Sequence, residues 1–459
     1  MQRKLLGLFA LVCALTACAG PTGSGVTIPS STPTPVPTST GAAATSSPSA
    51  SPTAVTTTSP TATAIPTTSP TATPTPSPSP SPTAKPTSTP TPTPTPSPTS
   101  SPTAKPTATP TAGATSTPLV TPGPGLGLHV VGNIIENGAG QQFIPHGVNR
   151  SGSEYDCVQG STEIFDGPVD QASITAMLTW HINAVRVPLN EDCWLGINGV
   201  AAAVSGSNYQ DAIESFVNLL SANGLAVILD LHWNDGGTAK ATGQQDMADA
   251  DHAGAFWTSV ATAFKNNSSV MFDLYNEPHS ITWACWLNGG TATACATPWA
   301  IDGMNQLITA VRSTGATNIV LAGGLAYSND LSGWLANEPT DPAGQLVADW
   351  HIYNFNACIT VACWASTGGA VAAKVPLIAD ETGENGCTDT FVLQLYPWLD
   401  SIKTGYLGWT WNADFNCSTG PGLITDYAGD PTAYGIGLQS HLAALASASS
   451  VARKASSTR

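Results

Sequence analysis

Eight short apolar runs, seven of them carrying polar or aromatic residues toward their C-terminal ends, recur between residues 143 and 412. They are FIPHGVN (143–149), NAVRVP (183–188), LAVILDLHWN (225–234), SVMFDLYNEP (269–278), NIVLAGG (318–324), LVADWHIY (346–353), VPLIADE (375–381) and YLGWTWN (406–412). In the fourth, apolar residues fall on both faces. Such a strand belongs in a parallel sheet covered by helices. Pro278 cannot donate to a strand ladder, so the strand stops there and leaves Glu277 at its C-terminal end. Amphipathic stretches separate the runs. NYQDAIESFVNLLSANG (208–224) puts Ala212, Ile213, Phe216, Val217 and Leu220 on one face and stops at Gly224. DQASITAMLTWHI and DHAGAFWTSVATAFKNN behave alike. Eight strand–helix units predict an α/β fold, a (β/α)8 TIM barrel over residues 125–448. Such barrels place their chemistry at the C-terminal strand ends. The residues there are Asn149, Arg186, His232, Asn276 with Glu277, His351 with Tyr353, Glu381 and Trp409.

The first 124 residues have another texture. Arg3 and Lys4 precede an apolar stretch, Leu5 to Thr16, that is too short to span a bilayer as a stable helix. It closes on Leu15-Thr16-Ala17-Cys18, which resembles a bacterial lipobox and implies a lipid on Cys18, so that residues 1–18 form a lipoprotein-type signal. A plain secretory signal is the alternative. Residues 19–124 are almost wholly Pro, Thr, Ser, Ala and Gly, with SPTAKPT repeated at 81–87 and 101–107. Such a segment cannot bury a core, so a disordered or polyproline-like spacer is expected. Residues 449–459 form a short basic tail.

All 30 acidic residues fall within 125–448, with only seven of the 14 basic ones. So acidic a domain repels phosphate backbones, which excludes nucleic acid as a partner. All 13 Trp lie in the same region. Some pack the core; the rest suit a cleft lined with flat faces for uncharged, ring-shaped ligands. Cys13 and Cys18 belong to the signal region. The other eight, in an exported chain, suggest disulfides. Proximity along the chain points to 157–193, 285–295, 358–363 and 387–417. Zinc is the alternative, but no paired C-x-x-C spacing supports it.

The ordered motifs NAVRVP, ILDLHW, YNEP, WHIY, PLIADETG and GWTWN resemble those of glycoside hydrolase family 5, typified by endo-β-1,4-glucanases, over essentially all of 125–448. The resemblance implies Glu277 as acid/base and Glu381 as nucleophile of a retaining mechanism, which needs two carboxyl groups about 5–5.5 Å apart. Asn276 would bond the sugar 2-hydroxyl. Arg186 would hold Glu381 ionised, and Tyr353 would hydrogen-bond the same carboxylate. His232 and His351 would position sugar hydroxyls and tune the acid. Trp409 would stack under the sugar at the point of cleavage, and Asn149 belongs to the supporting set.

The nucleophile segment departs from the family's Gly-Glu-Phe-Gly: here it reads Asp380-Glu381-Thr382-Gly383, with Glu384 just beyond. Strand alternation puts Asp380 on the face opposite Glu381 and keeps Glu381 as the choice, Glu384 being the fallback. Trp411 competes with Trp409 as platform. Trp283 and Trp286 either border the cleft or pack their loop. The expected activity is cleavage inside β-1,4-glucan chains, with β-mannan, xyloglucan and transglycosylation open on the same residues. A tethered sugar-binding protein on an inactive barrel is the reading from another class; the presence of both carboxylates speaks against it. No organic cofactor or metal is called for, since two carboxyl groups suffice. The expected setting is an exported monomer, held at the outer face of the membrane through Cys18 or secreted.

Overall fold

The structure is a computed structural model that describes residues 125–418 and 420–457. The signal region with Cys18, the spacer 19–124 and the final two residues lie outside the described residues.

A short antiparallel hairpin, β1 (His129–Val131) and β2 (Ile134–Glu136), opens the described chain. It turns on Gly132, whose φ of +60° suits a two-residue hairpin turn. Eight parallel strands follow: β3 (His146–Asn149), β4 (Ala184–Asn190), β5 (Ala226–Trp233), β6 (Val270–Asp273), β7 (Val320–Gly323), β8 (Leu346–Tyr353), β9 (Leu377–Gly383) and β10 (Gly405–Gly408). They pair in chain order, and β10 closes on β3 to complete the barrel. Each of the eight apolar runs supplies one strand.

The barrel interior changes character along its axis. At the floor, Ala184, Ala226, Ile228, Met271, Leu321, Val347, Ile378 and Leu407 form one apolar cluster with Leu128 and Ile135, so the hairpin region plugs the N-terminal mouth. Two residues further along the same inward-facing rows stand Arg186, Asp230, Asp273, Asp349 and Asp380, all fully buried. The outward rows, including Val185, Val187, Leu229 and Phe272, join the larger core shared with the helices.

The helices form where the apolar periodicity places them. Gln171–Thr179 is capped by Asp170, whose carboxylate accepts from Ser173 N at 3.0 Å. Ser207–Ala222 buries Ile213, Phe216, Val217 and Leu220, and Gly224 beyond it takes a φ of +78°. Ala253–Phe264, Met304–Ser313 and Val392–Ser401 cover further strands. The crossing from β7 to β8 differs from the expected strand–helix unit: among the described residues it holds only a 3-10 turn, Leu335–Asn337. Gly324, Gly333, Pro339, Pro342 and Gly344 interrupt any helical period there. The last helix, Gly435–Ser457, runs through the 448/449 boundary without a break.

Four disulfides, Cys157–Cys193, Cys285–Cys295, Cys358–Cys363 and Cys387–Cys417, follow the pairing suggested by proximity. None of these eight sulfurs is left as a thiolate for zinc. Each bridge ties segments that follow the C-terminal end of a strand, so the staples gather around the functional rim.

Candidate active site

The C-terminal rim is organised by one cation. Arg186 rises from β4 into the barrel mouth, fully buried. Its Nη1 donates to Glu381 Oε1 at 2.6 Å and to Asn149 Oδ1 at 3.1 Å. Its Nη2 donates to Asp273 Oδ2 at 2.8 Å and Asn276 Oδ1 at 2.9 Å, and lies 3.1 Å from Asp230 Oδ2. Nε stands 3.2 Å from both Asp273 Oδ2 and Asp380 Oδ2. Four carboxylates from three strands, Asp230 of β5, Asp273 of β6 and Asp380 with Glu381 of β9, thus converge on one guanidinium. Burial alone would lower the Arg186 pKa, but Asp230, Asp380 and Glu381 drive it well above its ordinary value.

Glu381 is held from both sides, with Arg186 on Oε1 and the Tyr353 hydroxyl donating to Oε2 at 2.6 Å. Asn149, at the end of β3, also donates to the Asp380 carbonyl at 2.8 Å, which fixes the backbone beside Glu381. Glu277 follows β6. His351 Nδ1 lies 2.8 Å from its Oε1, and Gln244 Nε2 donates to its Oε2 at 2.8 Å. Burial would raise the Glu277 pKa, yet the His351 hydrogen bond and charge, with Gln244, hold it below its ordinary range. An oxygen of Glu277 and an oxygen of Glu381 lie within 4.8 Å of each other.

His351 sits between acids. Nδ1 faces Glu277 and, at 3.4 Å, Glu381 Oε2; Nε2 stands 3.3 Å from Asp380 Oδ1 and 3.6 Å from Asp349 Oδ2. Burial disfavours its charge, but Glu381, Asp349, Asp380 and Glu277 outweigh that and drive its pKa well above 6.5. This environment favours the imidazolium form. His232 Nδ1 bonds Asp230 Oδ2 at 2.7 Å, and its ring stacks beside Trp409 with centroids 5.5 Å apart and planes 12° apart. Trp409 is half-buried, whereas Trp411 is fully buried and packs edge-on against Trp180. All of the rim residues named from sequence therefore meet in one mouth.

Two expectations change. Asp380 does not point away from Glu381; both reach Arg186. The cause is an extra residue in β9. Between Asp349 and His351, β8 advances two residues while β9 advances three, from Ile378 to Glu381. On its other side β10 advances two while β9 goes from Ala379 to Thr382. This bulge breaks the alternation and turns two successive acids toward the mouth. Glu384, the fallback nucleophile, serves elsewhere: its Oε2 accepts from the backbone N–H of Phe391 at 2.7 Å and Val392 at 3.2 Å, at the start of Val392–Ser401. Trp286 is buried with its indole N–H on Gly323 O at 2.9 Å, and Trp283 packs edge-on against it, so this pair packs the loop.

Sequence reasoning missed Gln244, which lies in a loop without periodicity, and Asp230, Asp273 and Asp349. The acids did leave a signal: an Asp two to four positions before a polar strand end, inside an apolar run, requires a buried cation, and Arg186 is the strand-borne one. Glu154, also missed, is buried beside His232 and pushed up to about 7 by its burial.

Among the described residues, three groups bring three potential metal donors together: Glu277–His351–Glu381, Asp349–His351–Asp380 and Glu191–Asp249–His252. The first two share the cationic His351 and border Arg186, which disfavours a further cation. The third stands apart from that ring.

A closed eight-stranded parallel barrel with two carboxyl groups converging over a buried arginine defines a glycoside hydrolase of the TIM-barrel class. The family model for cellulase, glycosyl hydrolase family 5, matches residues 148–415, and the chain belongs to that family. It is similar to endo-beta-1,4-glucanase A of Emericella nidulans, with 30% identity over 234 residues, 47% of this chain and 65% of that protein. It is also similar to the manganese dependent endoglucanase Eg5A of Phanerodontia chrysosporium, with 30% identity over 160 residues, 32% of this chain and 36% of that protein. The chain thus spans less than two thirds of either relative's length. A crystal structure of the beta-glucanase SdGluc5_26A from Saccharophagus degradans in complex with cellotetraose shares the fold, with a TM-score of 0.53 and 19% identity over 69% of this chain and 93% of that one.

Proposed function

We propose that this chain is a retaining endo-β-1,4-glucanase in which Glu381 is the nucleophile and Glu277 the acid/base. The observation that carries the reading is the approach of one oxygen from each carboxyl group to within 4.8 Å. So close an approach supports direct attack, the retaining geometry, over the wider carboxyl separation of about 6.5–9.5 Å that an inverting enzyme uses.

In the first step a Glu381 oxygen attacks the anomeric carbon. The bond to the leaving sugar breaks, and its oxygen takes a proton from Glu277. In the second, Glu277 removes a proton from water, the water oxygen attacks the same carbon, and Glu381 leaves with its electron pair. Glu277 and His351 share the proton as one unit across their 2.8 Å contact. Arg186 and Tyr353 orient Glu381 and receive its charge again when the ester breaks. Arg186 accepts no bond itself, so it turns the Asn276 carbonyl inward and leaves the amide N–H groups for the sugar 2-hydroxyl. Trp409 offers its face to a sugar ring. Asn149 braces Arg186 and β9, and His232 lines the mouth.

The substrate class is a neutral β-1,4-glucan, in keeping with the acidic domain and with what the relatives' names say of those proteins. The four disulfides support export. A lipid on Cys18 and the 19–124 spacer would hold residues 125–448 near the outer membrane face as a monomer. The test is release of reducing ends by the purified chain from soluble cellulose, β-mannan and xyloglucan, with products resolved by length. Internal cuts in cellulose with few transfer products are expected. Activity confined to β-mannan or xyloglucan would replace the substrate, predominant longer products would make it a transglycosylase, and inactivity on all three would put the substrate outside β-1,4-linked glycans or leave a barrel that only binds sugar.

A further inference from the structure

Glu191 directly follows β4, on the strand that carries Arg186, and is fully buried. Neither of its carboxylate oxygens has a well-formed hydrogen bond, although the Asp235 N–H and the Asp249 carboxyl lie near enough to act on its charge. The loop from β5 to Ala253–Phe264 brings two further donors to it. Asp249, also fully buried, is fixed by the N–H of Asp251 at 3.0 Å and of His252 at 2.8 Å on Oδ1, and by Asn234 Nδ2 at 3.2 Å on Oδ2. His252 turns Nδ1 inward, 3.3 Å from Asp249 Oδ1 and 3.9 Å from Glu191 Oε2, and that nitrogen has no hydrogen-bond partner either. One atom from each of the three lies within 4.8 Å of the others. Among the described residues no Lys or Arg nitrogen pairs with either carboxylate.

Two buried acids side by side are held by a shared proton or by a cation; bare, they are too costly. A shared proton between Glu191 and Asp249 would leave the inward His252 nitrogen unused. A metal ion uses all three. We propose that Glu191, Asp249 and His252 bind one divalent transition ion of the zinc or manganese class, a donor set of two carboxylates and one imidazole. Calcium, which takes oxygen ligands, fits it less well. The site is structural. It ties the end of β4 to the same loop whose Gln244 donates to Glu277, so the ion fastens the loop that carries a partner of the rim carboxyl.

The experiment uses the purified full chain, stripped with EDTA and dialysed against ZnCl2 or MnCl2, with CaCl2 and MgCl2 in parallel. Bound metal is counted by elemental analysis and the thermal midpoint is followed. One bound zinc or manganese and a raised midpoint are expected. Glu191→Gln and His252→Ala should each weaken binding by more than the about 10–100-fold that an outer-shell change costs. His252 is partly exposed, so its variant carries the test where Glu191→Gln does not fold. The proposal is overturned by any of four results: no bound equivalent, binding of calcium alone, binding that persists in both variants, or binding lost in Glu381→Gln instead. A Glu191→Gln protein as stable as the parent and indifferent to EDTA would identify the shared proton.

Discussion

The Nδ1 of His351 stands 2.8 Å from Oε1 of Glu277, and the two groups titrate as a pair. Glu277 is held below its ordinary 4.5 and His351 well above its ordinary 6.5, so the pair keeps one proton across the interval between them. With the proton needed for departure of the sugar drawn from this pair, activity falls as pH rises through the raised His351 value, above 6.5. In His351→Gln the cation is gone and Glu277 alone must hold the proton. The alkaline limb of kcat/KM should then move to lower pH, toward the range of a buried carboxyl. A pH–rate profile in the two proteins checks this; unchanged limbs would detach His351 from the proton.

The separate roles of the two carboxyl groups are read by azide rescue. Glu381→Gly and Glu277→Ala should each lose about 10²–10⁴-fold or more in kcat on an aryl β-cellobioside. Azide in the Glu381→Gly site attacks the substrate directly and gives the α-glycosyl azide. In Glu277→Ala it attacks the glycosyl-enzyme and gives the β-azide. Chromatography and NMR of the products distinguish them, and the reverse assignment would exchange the roles.

Most of the barrel was legible because buried parallel strands leave unbroken apolar runs, and the polar residues closing them read directly as a rim. Local irregularity was not legible. The bulge in β9 depends on how Ile378 to Thr382 pair with β8 and β10, and no periodicity within VPLIADETG announces an unpaired residue. Gln244 reaches Glu277 from a loop of 19 residues, 234–252, where spacing carries no direction. Glu384 looked like a second rim acid because it follows β9, but two backbone N–H groups of the next helix draw it away. The four inward Asp residues were visible in the runs, and the cost of burying them could have pointed to Arg186 as the partner of Asp230, Asp273 and Asp380, with His351 facing Asp349.

Arg186 carries that ring, and its removal is expected to be costly. Burial raises Asp273 and Asp349 well above their ordinary range, whereas Arg186 and His351 outweigh burial at Asp380 and hold it down at about 2. Arg186→Met leaves buried carboxylates uncompensated, at about 3–5 kcal/mol of stability. Arg186→Lys keeps the charge but cannot span Asn149, Asp273, Asn276 and Glu381 with one fork, so it should recover part of the stability and little of the activity. Urea midpoints with matched m-values measure the first, and polymer hydrolysis the second. An Arg186→Met protein as stable as the parent would mean that protons, not the guanidinium, neutralise the ring.

Trp409 and Trp411, two residues apart, should respond in opposite ways to truncation. Trp411 is fully buried, with its ring edge-on to Trp180 at 4.9 Å, so Trp411→Ala opens a core cavity worth about 3–5 kcal/mol. Trp409 is half-buried and its only ring contact among the described residues is the parallel face of His232. Trp409→Ala should leave the thermal midpoint near that of the parent. With a sugar ring stacked on that face during cleavage, kcat/KM on soluble cellulose drops about tenfold, equivalent to about 1.4 kcal/mol. Trp409→Phe, which keeps an apolar face, should restore part of that loss. A Trp409→Ala protein that hydrolyses cellulose as well as the parent would remove this side chain from the substrate path and return the platform to another rim residue.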